Sequence, residues 1–185
     1  GDPACADTRF GSLVSATHRD KVEAAVQQAV LDGARVHCGG GRPADLPQRV
    51  RDGAFFEPTV LDGLGPDATF NQQEVFGPVV CAMPFSSEAE VIEAANGTPY
   101  GLCAAVCTGD AARAARVGGA IDAGTVWINC WLVRDFRVPF GGMKHSGLGR
   151  EGGDAALRFC TESVTICTAN TNTVDATGAV PGAAD

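Results

Sequence analysis

The feature that most constrains the fold is an alternation of apolar runs and helical segments in the middle of the chain. Strand candidates at 79–85, 102–107 and 124–129 alternate with helix candidates at 87–97 and 111–119. Strands that are joined through helices normally lie parallel in one sheet, with the helices covering its faces. The alternation therefore predicts an α/β fold with parallel strands, in which the first of these strands is buried.

Capping residues support both of these helices. Ser87, followed by Glu90 three residues later, fits a capping box, and Gly97 fits the opposite end of the same helix. Asp110 is a suitable N-cap for the second helix, because its carboxylate can accept backbone N–H groups. Both helices are thus bounded by residue types that start or stop helices.

The N-terminal third predicts one more helix and two extended segments. Residues 15–32 carry apolar side chains at helical spacing, and Gly33 suits the left-handed cap that ends a helix. Residues 35–38 are a short strand candidate. Residues 55–61 favour β structure, with Pro58 indicating an edge or an irregular position.

The C-terminal part predicts a short helix that begins near residue 151, followed by a strand at 161–168. Beyond this strand, residues 169–185 are rich in Ala, Thr, Asn and Gly and poor in large apolar side chains. This composition predicts a disordered tail. No run of the chain approaches the about 18 apolar residues that a membrane helix needs.

Composition restricts the partners. The 185 residues are 45% hydrophobic and carry a net charge of −8, so a core can form, and nucleic acid or an anionic membrane is not expected as the main partner. The eight cysteines lie mostly in apolar runs, which favours reduced, buried thiols in a cytoplasmic protein over a disulfide framework. No C-x-x-C pair occurs and the three histidines are scattered, so no metal site is expected.

Two short motifs have simpler interpretations than their usual ones. Residues 147–152 match G-x-G-x-x-G, but no strand precedes them and no βαβ unit follows. A loop that needs positive φ at several glycines is the better interpretation. Residues 96–98 match a glycosylation sequon, for which a loop after a helix is the better interpretation.

Three stretches together resemble the aldehyde dehydrogenase superfamily. They are Q-E-V-F-G-P at 73–78, the segment from N-G-T-P-Y-G-L at 96–102 to A-G-T-V-W-I-N at 123–129, and P-F-G-G-M-K-H-S-G at 139–147. Their order and spacing also match, and the resemblance extends over residues 1–168. The sequence departs from the family at Ser12, where proline is usual, and at Gln73, where an acid is commoner.

The resemblance implies an oxidoreductase that converts an aldehyde to a carboxylate with NAD (or NADP). In the family, a cysteine thiolate attacks the carbonyl, hydride passes to nicotinamide, and a glutamate-activated water releases the acid. These residues and the dinucleotide-binding domain would lie upstream of this chain, which begins at Gly1 rather than Met. Residues 1–160 would then be the C-terminal portion of the catalytic domain, and 161–168 its final oligomerisation strand.

The resemblance also implies two cofactor-binding residues. Glu74 matches the glutamate that binds the nicotinamide ribose, where a carboxylate can accept hydrogen bonds from both hydroxyls. Phe76 matches the aromatic residue that packs beside the nicotinamide. The alternative for Glu74 is a solvated acid on a loop.

Residues 129–136 match the family's variable loop at the substrate entrance. Arg134 would pair with a substrate carboxylate, and the W-L-V-R-D run resembles the branch that oxidises 2-aminomuconic and 2-hydroxymuconic semialdehydes, which carry carboxylates. Alternatively, Arg134 pairs with Asp135 or faces solvent, and Arg137 is a second candidate. Phe140 would line the aldehyde tunnel, with an ordinary core position as the alternative.

Two functional hypotheses remain. In the first, the chain is the C-terminal portion of an NAD(P)-dependent aldehyde dehydrogenase and is inactive alone, because the nucleophile and general base lie upstream and Cys130 does not match the nucleophile position. In the second, the chain is a non-catalytic module that pairs through the edge of 161–168 with a full-length subunit. A homo-oligomer formed through this C-terminal strand is expected for the enzyme.

Overall fold

The computed structural model describes residues 1–168, and the tail predicted at 169–185 lies outside the described residues. The chain divides into two compact units. The first comprises Gly1–Arg134 and Gly141–Leu148, and the second comprises Asp135–Phe140 and the described residues from Gly149 onward. The two units are therefore interleaved along the sequence.

The first unit is a mixture of helices and short strands. In chain order, its elements are α1 (Ala16–Leu31), β1 (Arg35–Cys38), a 3-10 turn (Gln48–Val50), β2 (Thr59–Asp62), α2 (Thr69–Gln72), β3 (Val79–Ala82), α3 (Glu88–Asn96), β4 (Tyr100–Gly101), β5 (Cys103–Val106), α4 (Ala111–Ala120), β6 (Thr125–Ile128) and β7 (Met143–Lys144). β1, β2 and β3 form one sheet in that order, while β5 pairs with β6 and β4 pairs with β7.

The predicted α/β class with parallel strands is confirmed. The β2–β3 and β5–β6 pairs are parallel, whereas β1–β2 and β4–β7 are antiparallel. The strands of the first unit are distributed over three small sheets rather than one. The alternation along the sequence thus predicts strand direction correctly but not how the strands are grouped.

Helix α1 builds the core of the first unit together with the first sheet. Its stripe of Val22, Val26 and Ala29 is buried in one cluster with Phe56 and Leu61. Val22 and Leu61 are fully buried, and burial of each such side chain contributes about 1.5–3 kcal/mol. This stripe fixes the position of α1, whose first turn later proves relevant to the candidate site.

The predicted N-caps of α3 and α4 are confirmed, with one change of partner. The Ser87 hydroxyl accepts the Glu90 N–H at 3.2 Å, but the Glu90 carboxylate accepts the N–H of Ser86, at 2.7 Å, rather than that of Ser87. The Asp110 carboxylate accepts two backbone N–H groups at the start of α4. These hydrogen bonds, with that of Arg113 the largest, lower the pKa of Asp110.

The two strands predicted around this sheet differ from the structure in position and burial. β2 begins only at Thr59, and Phe55 and Phe56 are buried before it. Pro58, which lacks an N–H, lies just before the ladder, which agrees with the predicted irregular position. The alternative, an edge strand, is wrong, because β2 is the central strand of its sheet. The strand predicted to be buried at 79–85 is shorter, and its side chains alternate between half-buried and exposed because β3 is an outer strand of its sheet.

The prediction of buried thiols is wrong. All eight cysteines lie among residues 1–168 and are free, and none of them is buried: Cys81 and Cys103 are half-buried, and the others are exposed. Successive side chains of a strand point to opposite faces. An apolar run therefore does not bury a thiol unless another layer covers the face on which it lies.

The second unit contains glycines in left-handed conformations at the start of its helix α5 (Gly153–Cys160). Gly149, Gly152 and Gly153 have φ values of 70°, 89° and 50°. A Cβ on Gly152 would lie 2.4 Å from the carbonyl oxygen of Val138. The interpretation of the G-x-G-x-x-G run as a loop that requires positive φ and close packing is therefore confirmed.

The strand predicted at 161–168 is not formed within the chain. All eight residues are exposed and carry no strand assignment, and no sheet within residues 1–168 includes them. A strand forms only when a neighbouring strand satisfies its backbone N–H and C=O groups. Pairing of this segment with a second chain stays a prediction.

Candidate functional site

The segment 73–78 forms a strained turn between α2 and β3. Phe76 has a φ of 53°, which lies in the left-handed region and costs a residue with a Cβ about 1–2 kcal/mol. Phe76 is 74% exposed, so burial of its ring does not compensate for this strain. Strain of this kind persists only where surrounding contacts enforce it, and it is concentrated at ligand-binding sites.

Helix α1 supplies the contacts that enforce the turn. The imidazole Nε2 of His18 lies 2.7 Å from the carbonyl oxygen of Phe76, and the two rings meet edge to face with centroids 6.0 Å apart. One helical turn later, Val22 packs so closely against Gly77 that a Cβ there would lie 2.8 Å from both Val22 methyl carbons. His18 was missed by the sequence reasoning, because nothing in its local pattern connects it to a residue 58 positions away.

Glu74 is exposed in the same turn. It lines a cavity of ≈ 380 Å³ together with residues of α1 and α2, among them Lys21, Gln28 and Phe70. Within residues 1–168 the Glu74 carboxylate has no hydrogen-bond or ion-pair partner, so both of its oxygens can accept from a ligand. The structure places the two candidate cofactor residues in one exposed turn, and their roles stay predictions.

The predicted substrate loop 129–136 belongs to the first unit as far as Arg134, and we call this part the loop 129–134. A tryptophan of β6 fixes its end. The indole N–H of Trp127 donates to the carbonyl oxygen of Val133 at 2.7 Å, and the rings of Trp127 and Trp131 meet edge to face at 4.9 Å. Trp127 is buried, whereas Trp131 and Leu132 are 59% and 68% exposed. The buried Trp127 thus anchors the loop, and the loop exposes the apolar side chains of Trp131 and Leu132 to solvent.

The start of the same loop is fixed by the residue that follows β6. The side-chain amide of Asn129 donates to the Thr108 carbonyl and accepts the Thr108 N–H, both at 2.8 Å. Asn129 has a φ of 52°, which its short polar side chain tolerates better than most residues do. The amide therefore extends the β5–β6 pairing by one step into the loop.

The arginine candidates lie in different units. Arg134 is exposed at the end of the first unit. In the second unit, Nε of Arg137 lies 2.9 Å from a carboxylate oxygen of Asp135, and this hydrogen bond lowers the pKa of Asp135 and raises that of Arg137. Arg137 is therefore paired with Asp135 within the second unit. The role of Arg134 in carboxylate binding stays a prediction.

Phe140 is half-buried in the second unit. Its backbone N–H and C=O exchange 2.8 Å hydrogen bonds with Glu151, which forms an isolated antiparallel bridge. This bridge fixes the backbone at Phe140 immediately before the chain returns to the first unit. The predicted position of its ring in an aldehyde tunnel stays a prediction.

A polar network that sequence reasoning missed joins the stretches 96–102 and 139–147. β4 pairs with β7, and Nζ of Lys144 donates to the carbonyls of Asn96 and Thr98 at 2.7 and 3.1 Å. The side-chain amide of Asn96 in turn bonds the backbone at the end of α4. The sequon asparagine is therefore a structural residue at the end of α3, where exposed helix carbonyls need donors.

Other kinds of site are not formed by the described residues. Among residues 1–168, no three His, Cys, Asp or Glu side chains are grouped so that they could hold a metal ion. Cys130, the one cysteine near the candidate substrate loop, is exposed. None of the described helices has the length and apolarity needed to cross a membrane.

Comparisons with known proteins identify the family. The model of the aldehyde dehydrogenase family matches residues 1–166, and the chain therefore belongs to this family. It is 48% identical over 167 residues to the 2-hydroxymuconic semialdehyde dehydrogenase of Pseudomonas putida, and 47% identical over 169 residues to the 2-aminomuconic semialdehyde dehydrogenase of Danio rerio. Each match covers 90% of this chain but only 34% and 35% of the relative, so the chain spans about a third of their length.

Solved structures agree with this assignment. The structure of betaine aldehyde dehydrogenase from Staphylococcus aureus in complex with NAD+ is 41% identical, with a TM-score of 0.79. The match covers 84% of this chain and 30% of that one. The family and the fold class predicted from the sequence are both confirmed.

Proposed function

We propose that the chain forms part of the cofactor and substrate site of an NAD (or NADP)-dependent aldehyde dehydrogenase. The reaction is oxidation of a carboxylated semialdehyde to the carboxylate. The observation that carries the proposal is the exposed, strained turn 73–78, which presents a carboxylate with no partner among residues 1–168 and, two residues later, an exposed aromatic ring. Family membership, the names of the semialdehyde relatives and the NAD+ bound to the S. aureus enzyme support it.

Glu74 and Phe76 are the proposed cofactor-binding residues. The two carboxylate oxygens of Glu74 accept hydrogen bonds from the hydroxyls of the nicotinamide ribose, and the ring of Phe76 packs beside the nicotinamide. The bound dinucleotide supplies the hydride acceptor. This chain contributes by orienting the cofactor and by covering one side of it.

Arg134 and Phe140 are the proposed substrate-binding residues. A guanidinium recognises a carboxylate through two parallel hydrogen bonds, and an aromatic wall excludes water from the aldehyde. The exposed Arg134 follows a loop whose ends are anchored by Asn129 and Trp127. Anchoring of this kind limits the conformational entropy that the loop loses when it binds a ligand.

The 185-residue chain alone is not expected to turn over. The family reaction requires a cysteine nucleophile and a glutamate that activates water, and none of the cysteines in this chain matches that nucleophile. Cys130 is the one cysteine near the candidate substrate loop. We therefore expect no NADH formation by the chain alone with any aldehyde.

A hybrid enzyme tests the proposal. Residues 1–168 replace the matching third of the P. putida 2-hydroxymuconic semialdehyde dehydrogenase, and NADH formation is followed by absorbance. We expect turnover of 2-hydroxymuconic semialdehyde. Arg134→Ala should raise the KM for this substrate about tenfold, the loss of one charged hydrogen-bonding pair, while leaving the KM for a neutral aldehyde nearly unchanged.

The matched control is Arg137→Ala, which removes the second candidate arginine, whose guanidinium pairs with Asp135. We expect this variant to alter neither KM appreciably. A folded hybrid without activity would contradict the proposed function. An equal effect of Arg134→Ala on both aldehydes would contradict the assignment of Arg134.

A second candidate function is a non-catalytic module that pairs with a full-length subunit. It is favoured by residues 161–168, in which Val164 and Ile166 are 80% and 85% exposed and, two residues apart, would share one face of a strand. The chain should then co-elute with the P. putida enzyme in gel filtration, and Val164→Lys with Ile166→Lys should abolish co-elution. Separate elution of the unaltered chain would exclude this function.

The cytoplasmic location expected from the sequence stays a prediction.

A further inference from the structure

We propose that His18 is a positioning residue, which holds Phe76 in the left-handed conformation that presents its ring to the nicotinamide. The inference rests on the proposed function of the turn 73–78 and deepens it. It assigns a role in cofactor binding to the first turn of α1, through the contact of His18 with Phe76.

The His18 hydrogen bond falls on the strained residue itself. It joins the imidazole Nε2 to the carbonyl oxygen of Phe76 at 2.7 Å. A carbonyl oxygen can only accept, so Nε2 carries the proton. If Phe76 relaxed to a negative φ, its peptide plane would rotate and the carbonyl would leave the imidazole.

The backbone that carries the imidazole of His18 is held in place by its helix. The hydroxyl of Ser15 caps α1 and accepts the N–H of His18 at 3.1 Å, and the fully buried Val22 anchors the next turn of the helix. The ring of His18 also meets the ring of Phe76 at an interplanar angle of 69°. A rigid helix thus constrains both the backbone and the ring of Phe76.

The contact between Val22 and Gly77 has a different effect. It brings the chain close to α1 after the strained residue, and Gly77 accepts the N–H of Val79 at the entrance to β3. Neither contact involves the carbonyl of Phe76. The His18 hydrogen bond is therefore the feature that distinguishes the left-handed conformation from a relaxed one.

The first experiment uses the 185-residue chain and backbone amide exchange measured by NMR. His18→Phe keeps a ring and removes the donor, whereas His18→Gln keeps an N–H donor. We expect His18→Phe to accelerate exchange at Val79, whose N–H bonds the carbonyl of Gly77, about tenfold or more, and His18→Gln to stay within about threefold of the unaltered chain. The matched control is His37→Phe, which removes a histidine paired with Asp62 on β1 and β2 and should leave exchange in the turn unchanged.

The second experiment uses the hybrid enzyme and separates the two parameters of catalysis. His18→Phe should raise the KM for NAD+ about tenfold while kcat and the KM for the aldehyde change less than about twofold, and His18→Gln should restore most of the affinity. A general loss of stability would lower kcat and affect both substrates. Partial rescue by glutamine therefore supports positioning rather than folding.

Two outcomes overturn the inference or its basis, and they are distinguishable. If Phe76→Ala raises the KM for NAD+ but His18→Phe does not, His18 has no positioning role and the proposed function stands. If Phe76→Ala leaves the KM for NAD+ unchanged, the cofactor role of the turn is wrong. Unchanged amide exchange in His18→Phe also overturns the inference, whatever the hybrid shows.

Discussion

Two exposed segments of the first unit hold non-glycine residues in left-handed conformations, and they do so by different means. In the turn 73–78, Phe76 is held by helix α1 through a contact that spans 58 positions. In the loop 129–134, Asn129 is held by its own side chain, which bonds the neighbouring backbone of Thr108. We call the contact of helix α1 with Phe76 the remote clamp, and the bonds of the Asn129 side chain to Thr108, 21 positions away, the local clamp, because the left-handed residue makes them itself.

The difference shows what each segment depends on. Val22 belongs to the buried core and also contacts Gly77, so the turn depends on the stability and exact placement of α1. The loop depends on the β5–β6 pair and on the buried Trp127. Changes in α1 should disturb the turn and spare the loop, and changes near β6 should do the reverse.

The largest effect is expected for Gly77→Ala. The new Cβ would lie 2.8 Å from both methyl carbons of the fully buried Val22, and such overpacking lowers the free energy of unfolding by about 1–3 kcal/mol. Urea unfolding of the chain measures the loss. Exchange at the amide of Val79, which bonds Gly77, should rise, while that at the amide of Asn129, which bonds Val106, stays constant.

Two control variants test this explanation. Gly65→Ala adds a Cβ where no atom lies within 4 Å and should be neutral. Val22→Ala should make room, so that Gly77→Ala costs less in that background. Equal losses with and without Val22 would show that steric overlap is not the cause.

A smaller effect is expected for Asn129→Ala, which weakens the local clamp. The variant loses both hydrogen bonds to Thr108 and places a Cβ without a compensating polar group in the left-handed region. Together these changes should lower the free energy of unfolding by about 1–2 kcal/mol. Asn129→Gly also loses both hydrogen bonds, but glycine adopts the left-handed conformation without strain. It should therefore lower the free energy of unfolding by less than Asn129→Ala does. An equal loss in the two variants would show that backbone strain contributes nothing.

The smallest effect is expected on acidification, which should loosen the loop more than the turn. The folded pKa of Asp110 is lowered by its backbone hydrogen bonds, so its cap stabilises the fold above the unfolded pKa, and this stabilisation is lost as the pH falls through the folded pKa. The N–H of Asp110 also bonds the side chain of Thr108, the residue that Asn129 holds. Amide exchange, corrected for its intrinsic pH dependence, should therefore rise at Asn129 more than at Val79.

Asp110→Asn provides the comparison for this measurement. It keeps a side-chain oxygen that can cap α4 and removes the titrating group. The rise at Asn129 should become smaller in this variant. An equal response of Val79 and Asn129 in the unaltered chain would contradict the separation of the two clamps.

The features that the sequence predicted correctly are local or carried by family motifs. The caps Ser87 and Asp110 act within three residues of themselves, so their chemistry is readable without a fold. The His18 contact and the exposed thiol of Cys38 depend on which elements become neighbours. Burial and long-range positioning follow from packing between distant segments, which one-dimensional patterns do not record.

The central claim is that the turn 73–78 binds the cofactor while Arg134 binds the substrate carboxylate. The most direct test compares Glu74→Ala with Arg134→Ala in the hybrid enzyme. Glu74→Ala should raise the KM for NAD+ about tenfold and leave the KM for the semialdehyde within about twofold, and Arg134→Ala should do the opposite. A KM for NAD+ that does not respond to Glu74→Ala would contradict the claim.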